Sequence, residues 1–313
     1  MTKILTASII AKNEEEMIGT MLDSIKGVDE VMVVDTGSTD NTVKICKEKG
    51  AKVFRGYKWN DNFAEARNVA KDKSKGEWLL IIDCDEIFKE DVTRLRDMLQ
   101  EPFMKDFDAV FMSVDTGMEV NQQIRCFRNL DNIEWYGAAH NLPYYDTEKG
   151  PMRIPDNKIF KSSFNIKANY SPNHDRDPDR TLRILTKELR KNPNNTRYIY
   201  YVAREYLMRK NVYAAIFWLE RYCKISPPTN ELADAYYLLS TCYADTGDIH
   251  KAIDMSLQSV KLLPSYKAPW VLLYNAASPE YKVYFGAAMD KADNKGVLFV
   301  RDIAEKIRED GKG

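Results

Sequence analysis

Two aspartates one residue apart, Asp83 and Asp85, follow the apolar run Trp78-Leu79-Leu80-Ile81-Ile82. Residues such as Leu80, Ile81 and Ile82 suit a strand buried on both faces of a sheet. Carboxylates at i and i+2 beyond such a strand point to one side, where they can hold a hard divalent cation through oxygen. A cation so placed suits clamping a diphosphate and carrying its charge as it departs. The triplet alone fits a solvated polar strand end equally well, so the surrounding chain decides.

Other polar clusters fall at the ends of the strands that the pattern predicts. A strand over 4–10 leads to Lys12, Asn13 and Glu14, one over 31–34 to the run Asp35 to Asp40, and one over 51–54 to Arg55. Asn13 with Glu16 three residues on forms a capping-box pattern, before Met17, Ile18, Met21, Leu22 and Ile25 at helical spacing. Gly50 stops a helix over 43–49, and Asn62 with Glu65 caps another through Ala66-Arg67-Asn68. Strand alternating with helix implies a parallel sheet covered on both faces, with ligands beyond the carboxyl ends of its strands. Four clusters therefore converge on one edge. Gly-x-Gly-x-x-Gly does not follow the first strand and Gly-x-x-x-x-Gly-Lys-Ser/Thr is absent, which argues against dinucleotide oxidoreductases and P-loop enzymes.

Length and composition set the outer bounds. At 313 residues, 44% hydrophobic and 30% charged, the chain has room for two globular domains. Basic and acidic side chains number 46 and 47, a balance that gives no bulk attraction to nucleic acid or anionic membrane. No apolar run approaches the roughly 20 residues that cross a bilayer. The first residues lack the long apolar core and cleavage site of a signal peptide. Cys46, Cys84, Cys126, Cys223 and Cys242 show neither metal-ligand spacing nor a disulfide framework, so a reducing cytoplasm is expected.

Four motifs in order, Ala11-Lys12-Asn13-Glu14-Glu15, Val33-Val34-Asp35-Thr36-Gly37-Ser38-Thr39-Asp40-Asn41-Thr42, Ala64-Glu65-Ala66-Arg67-Asn68 and Ile82-Asp83-Cys84-Asp85-Glu86, resemble family 2 glycosyltransferases of the GT-A fold. The resemblance covers roughly residues 1–145. It implies an inverting transferase that uses a nucleotide-sugar donor, usually a UDP-sugar, with Mn²⁺ or Mg²⁺. Lys12, Asn13 and Glu14 would then belong to the donor site. By the same resemblance Asp35 would read the imide N–H of uracil, with capping of its own turn as the plain alternative. Arg67 would meet the donor phosphates, or else pair with a neighbouring acid. Asn68 would hold the ribose or the adjoining loop. Asp83 would contact ribose or sugar and Asp85 would ligate the metal. Cys84 between them reads as a small hydrophobe, not a nucleophile.

Arg125-Cys126-Phe127-Arg128-Asn129 leads to Trp135-Tyr136-Gly137-Ala138-Ala139-His140-Asn141, which resembles a Trp-x-Gly-x-x-His-Glu segment in a subgroup of these transferases. Asn141 stands in place of the Glu, and an amide cannot take a proton as a carboxylate does. Inversion needs a base near the acceptor, and neutral imidazole makes His140 the candidate. Of the other histidines, His250 reads as a surface residue of the tail. His174 takes the late metal-ligand role common in GT-A enzymes, and an exchange of roles between His140 and His174 stays open. Glu86 and Asp115 are weaker candidates for the base.

The second half repeats at a 37-residue offset: Tyr206, Ala215 and Pro227 match Tyr243, Ala252 and Pro264. The pattern is tetratricopeptide-like, with about three residues beyond the usual period of roughly 34, expected in the connection Pro227-Pro228-Thr229-Asn230. A helix over 179–191 precedes it, Ala268-Pro269-Trp270 opens a partial third unit, and a last helix is expected over 299–309. The expected whole is a GT-A catalytic domain over 1–175 and a helical domain over 176–313. The function expected is transfer of a sugar to a Ser, Thr or Cys side chain of a peptide or protein engaged by the tail. A homodimer is an open possibility, a saccharide acceptor is the enzymatic alternative, and a decayed transferase kept as a binding module is the alternative of another class.

Overall fold

Buried apolar strands bordered by helices build the first half. In chain order these are β1 (Leu5–Ala11), α1 (Ile18–Ser24), β2 (Glu30–Asp35), α2 (Thr42–Glu48), β3 (Lys52–Phe54), α3 (Phe63–Lys73), β4 (Trp78–Ile81), β5 (Glu86–Phe88) and α4 (Val92–Met98). Then follow β6 (Ala109–Asp115), β7 (Glu119–Arg128), β8 (Ile133–Tyr136), β9 (Leu142–Tyr145), β10 (Met152–Arg153), β11 (Ile159–Ala168) and α5 (Asn173–Arg176). The computed structural model describes residues 3–117, 119–297 and 300–301, the side chains of Glu119, Asn173, His174, Val300 and Arg301 aside. The chain divides into two units, residues 1–178 and 179–313.

The main sheet runs β3-β2-β1-β4-β7-β6-β11-β5. β1, β2, β3 and β4 are mutually parallel, while β7 joins β4 and β6 antiparallel. Register brings Ala11 beside Asp35, so the β1 and β2 ends lie together. Leu5, Ala7, Ile9, Leu80 and Ile82 pack with Ile18, Met21 and Leu95 on one face. Leu79, Ile81 and Phe127 pack with Ala64, Ile133 and Trp135 on the other. The two-sided burial that the apolar runs predict is therefore met. This is a GT-A-like mixed sheet flanked by helices, with a small antiparallel sheet β10-β9-β8 beside it.

Of the two capping expectations, one holds. Asn62 caps α3, accepting the Glu65 N–H at 3.1 Å. Asn13 caps nothing: α1 starts at Ile18, and Asn13 sits in the left-handed region with φ 55°. Its Oδ1 accepts the Thr39 N–H at 2.8 Å, its N–H donates to Ser38 Oγ at 3.0 Å, and the Glu14 N–H donates to Thr42 Oγ1 at 2.7 Å. The capping box gives way to a cross-link between the loops that follow β1 and β2.

The second unit is helical over residues 180–291: α6 (Arg180–Lys191), α7 (Thr196–Met208), α8 (Val212–Ile225), α9 (Asn230–Asp245), α10 (Ile249–Leu262), α11 (Lys267–Ala276) and α12 (Pro279–Lys291). Consecutive helices pack on one another, with Ala215 and Ala252 fully buried at equivalent positions. Asp234, buried on α9, accepts the hydroxyls of Tyr200 and Tyr266 and so joins α7, α9 and the residue before α11. The three extra residues of the repeat do not lie in the Pro227–Asn230 connection. That link is as short as the one before α11, and Asn230 already belongs to α9, which has 16 residues against 13 in α7. α11 and α12 form a full helix pair, not a partial one. The helix expected over 299–309 lies outside the described residues apart from 300 and 301. Among the described residues no helix is long and apolar enough to cross a membrane.

Glu30 fastens the sheet at the end away from the aspartates. Its carboxylate accepts Lys3 Nζ at 2.6 Å, Lys52 Nζ at 2.7 Å, the Lys75 N–H at 2.8 Å and the Thr6 hydroxyl at 3.0 Å. Burial works against its charge, but the lysines and the N–H outweigh it and hold the carboxyl at about 2, below the usual 4.5. A lowered carboxylate adds stability above its unfolded value, and that stability disappears as pH falls towards the native one. We expect Glu30→Gln to cost about 1–3 kcal/mol at pH 7. In urea unfolding the gap to wild type should close between about pH 4.5 and 2; a gap independent of pH would contradict this account.

Candidate active site

β4 ends at Ile81, and residues 82–85 turn instead of running on as strand, closed by the Glu86 N–H donating to Asp83 O at 3.0 Å. Strand alternation, a property of extended chain, therefore no longer sets the directions of the two carboxylates. Asp83 turns towards two arginines. Arg67 Nη2, from α3, donates to Asp83 Oδ1 at 2.6 Å, and Arg125 Nη1, from β7, lies 3.6 Å from Oδ2. Burial alone would raise the Asp83 carboxyl, but the two guanidiniums hold it well below the usual carboxylate range. Arg125 Nη2 also donates to Glu86 Oε1 at 2.5 Å, and the Asp83 N–H donates to Glu86 Oε2 at 2.8 Å. Glu86 is buried with both oxygens engaged in this network.

Asp85 lies in a different electrostatic setting. Burial first, then the negative charges of Asp83, Glu86 and Glu14, push its carboxyl up to about 7. Glu14 is held in place by the Ser171 hydroxyl, which donates to its Oε2 at 2.8 Å. Carboxylate oxygens crowded so that one resists ionisation are a hard donor set that a divalent cation favours. Among the described residues no three His, Cys, Asp or Glu side chains converge as a ligand cage. An ion beside this turn would have to be held by one or two carboxylates and completed by substrate phosphates. Asp85 and Glu14 would hold it. The His174 side chain, expected as a further ligand, lies outside the described residues. Cys84 is buried, donates from Sγ to Ile10 O at 3.4 Å, and is kept a thiol by burial.

A cavity of about 240 Å³ opens beside Asp83, bordered by Arg67, Arg125, Trp135, His140 and Asn141 among others. Asp85 is not part of its lining. His140 stands on the hairpin between β8 and β9, exposed and at φ 49°, after Gly137 at φ 101°. The Phe63 N–H donates to Ala138 O at 2.9 Å and ties that hairpin to the start of α3. Asn68 does the second of its two expected jobs: its amide bonds the Trp135 main chain in both directions, at 2.8 and 3.2 Å. Both ends of the amide hold the hairpin strand. Trp135 in turn carries Arg67 over its ring at 5.0 Å.

Asp35, almost fully buried, accepts the Ser38 N–H at 3.0 Å and Arg55 Nε at 3.3 Å. It caps its own turn, and an ionised carboxylate keeps further lone pairs for another donor. Lys12 is exposed at the end of β1. Asp115 accepts the Gly117 N–H at 2.8 Å in its own turn, and His250 is exposed on α10. Arg125 is the residue that inspection of the sequence passed over. The signal was there: a charge between Ile124 and Cys126 in a buried strand needs a partner.

Comparison with known proteins agrees with this architecture. Residues 6–167 match the family model of glycosyl transferase family 2, and the chain belongs to that family. It is 36% identical over 137 residues to a TPR repeat-containing protein of Synechococcus elongatus, covering 43% of this chain and 34% of that protein. It is 27% identical over 250 residues to the SPbeta prophage-derived glycosyltransferase SunS of Bacillus subtilis, covering 77% of this chain and 58% of SunS. The chain thus spans less than two thirds of either relative. Among solved structures, glucosyl-3-phosphoglycerate synthase from Mycobacterium tuberculosis in complex with Mn²⁺ and UDP-glucose matches at 25% identity and a TM-score of 0.30, over 36% of this chain and 44% of that one.

The elevated Asp85 carboxyl would make metal binding there proton-linked. A carboxyl raised from 3.8 to about 7 costs native stability as pH rises between those values, and a bound cation reverses that cost. Mn²⁺ should therefore raise the unfolding temperature of the wild type more at pH 8 than at pH 6. Asp85→Asn should respond to Mn²⁺ at neither pH, and an equal response at both pH values in wild type would refute the assignment.

Proposed function

We propose that this protein is an inverting, metal-dependent glycosyltransferase that moves a sugar from a UDP-sugar to a Ser, Thr or Cys side chain of a peptide or protein. The observation that carries the reading is one cavity wall on which Asp83, Arg67 and Arg125 meet His140, next to a turn that leaves Asp85 among carboxylates. Mn²⁺ or Mg²⁺ at Asp85 would supply positive charge for the departing diphosphate.

The residues of the chain divide the remaining work. Asp35 is a fixed acceptor at the β2 end, suited to the imide N–H of a uracil. Lys12, Asn13 and Glu14 border the same edge, with Asn13 fixing the loop through Thr39. Asp83, held by its arginines, is an oriented acceptor for a hydroxyl of the ribose or sugar. His140 takes the proton of the acceptor as its oxygen or sulfur bonds to the anomeric carbon and the bond to the diphosphate breaks on the opposite side. Asn141 beside it has no basicity to offer, whereas the His140 imidazole does. The helical unit, tetratricopeptide-like in its repeat, is suited to an extended peptide in its groove.

His140→Gln should lower kcat for transfer at least about 100-fold while leaving metal-dependent UDP binding within about threefold of wild type. The measurement is mass spectrometry of candidate peptides and saccharides incubated with a UDP-sugar panel and Mn²⁺, alongside calorimetric UDP binding. Unchanged turnover in this variant would remove His140 from the chemistry. Transfer to saccharides alone would overturn the peptide acceptor.

A further inference from the structure

Arg125 is 7% exposed in β7, beside Cys126 and Phe127, which are wholly buried. A guanidinium in that position is tolerated only with good pairing. Its two terminal nitrogens do different things: Nη2 donates to Glu86 Oε1, and Nη1 faces Asp83 Oδ2. Glu86 also accepts the main-chain N–H of Asp83. Arg125 therefore acts on Asp83 twice, directly at the carboxylate and through Glu86 at the backbone.

Resting on the donor-site reading above, we propose that Arg125 is a positioning residue for the nucleotide-sugar site. It fixes the turn over 82–86 and the rotamer of Asp83, so that one aspartate is presented to the donor between two guanidiniums and the next is left to the cation. The role requires a planar fork. A lysine ammonium could keep Glu86 but could not bridge both carboxylates with the same geometry.

The test uses the full chain with Mn²⁺, titrated calorimetrically with UDP and a UDP-sugar panel, as wild type, Arg125→Lys, and the double variant Arg125→Met with Glu86→Gln. Removing both charges of the Arg125–Glu86 pair spares the fold the cost of a lone buried charge, and the new amide oxygen still accepts the Asp83 N–H. The double variant should unfold within a few degrees of wild type. Both variants should bind the UDP-sugar about tenfold more weakly, with donor KM raised more than kcat is lowered. Wild-type donor affinity in a folded double variant, or in Arg125→Lys, would overturn the proposal and reduce Arg125 to strand packing. Absence of Mn²⁺-dependent UDP binding by the wild type would instead overturn the donor-site reading on which it rests.

Discussion

Two arginines from different elements hold one aspartate, and the chemistry proposed for this protein depends on that arrangement. Arg67 comes from a helix and Arg125 from a strand across the sheet, and they meet at Asp83 in the turn after β4. Three carboxylates (Asp83, Asp85 and Glu86) share that turn, and Glu14 acts on it from the loop after β1. With the two arginines, Asp83 stays ionised, while burial and the neighbouring carboxylates raise the Asp85 carboxyl to about 7. On the proposed function, two acidic groups that are neighbours in sequence would thus divide into an oriented hydrogen-bond acceptor and a seat for a cation.

Stability and function meet in this network. Deleting one member of a buried ion pair costs about 3–5 kcal/mol because its partner is left uncompensated. The Arg125–Glu86 pair joins β7, in the middle of the sheet, to β5, its edge strand, so the contact that shapes the site also ties two strands that do not pair. At the opposite end of the strands, Glu30 gathers two lysines and a backbone N–H. The sheet is pinned at both ends by charge, with apolar packing between them.

Much of this was legible in the sequence, where local signals were strong. Apolar runs gave β1, β2, β3 and β4, Asn62 gave the start of α3, and the small residues Ala215 and Ala252 gave equivalent helix pairs. What sequence could not show was the choice among partners far apart in the chain. Asn13 has the right neighbours for a cap, yet its acceptor oxygen is taken by Thr39, 26 residues on. Nothing local to Asn68 points to Trp135, 67 residues away, which bonds both ends of its amide. The shared face expected for Asp83 and Asp85 assumed extended chain, and the turn closed by Glu86 ended that assumption. The three surplus residues of the repeat lengthened a helix, because Asn230 follows the capping Thr229 and joins α9.

The division of labour between Asp83 and Asp85 is tested most directly by the protein crystallised with UDP and Mn²⁺. The predicted result is an anomalous manganese peak bonded to Asp85, with Asp83 still between Arg67 and Arg125. A manganese ion ligated by Asp83, with its arginines displaced, would contradict it.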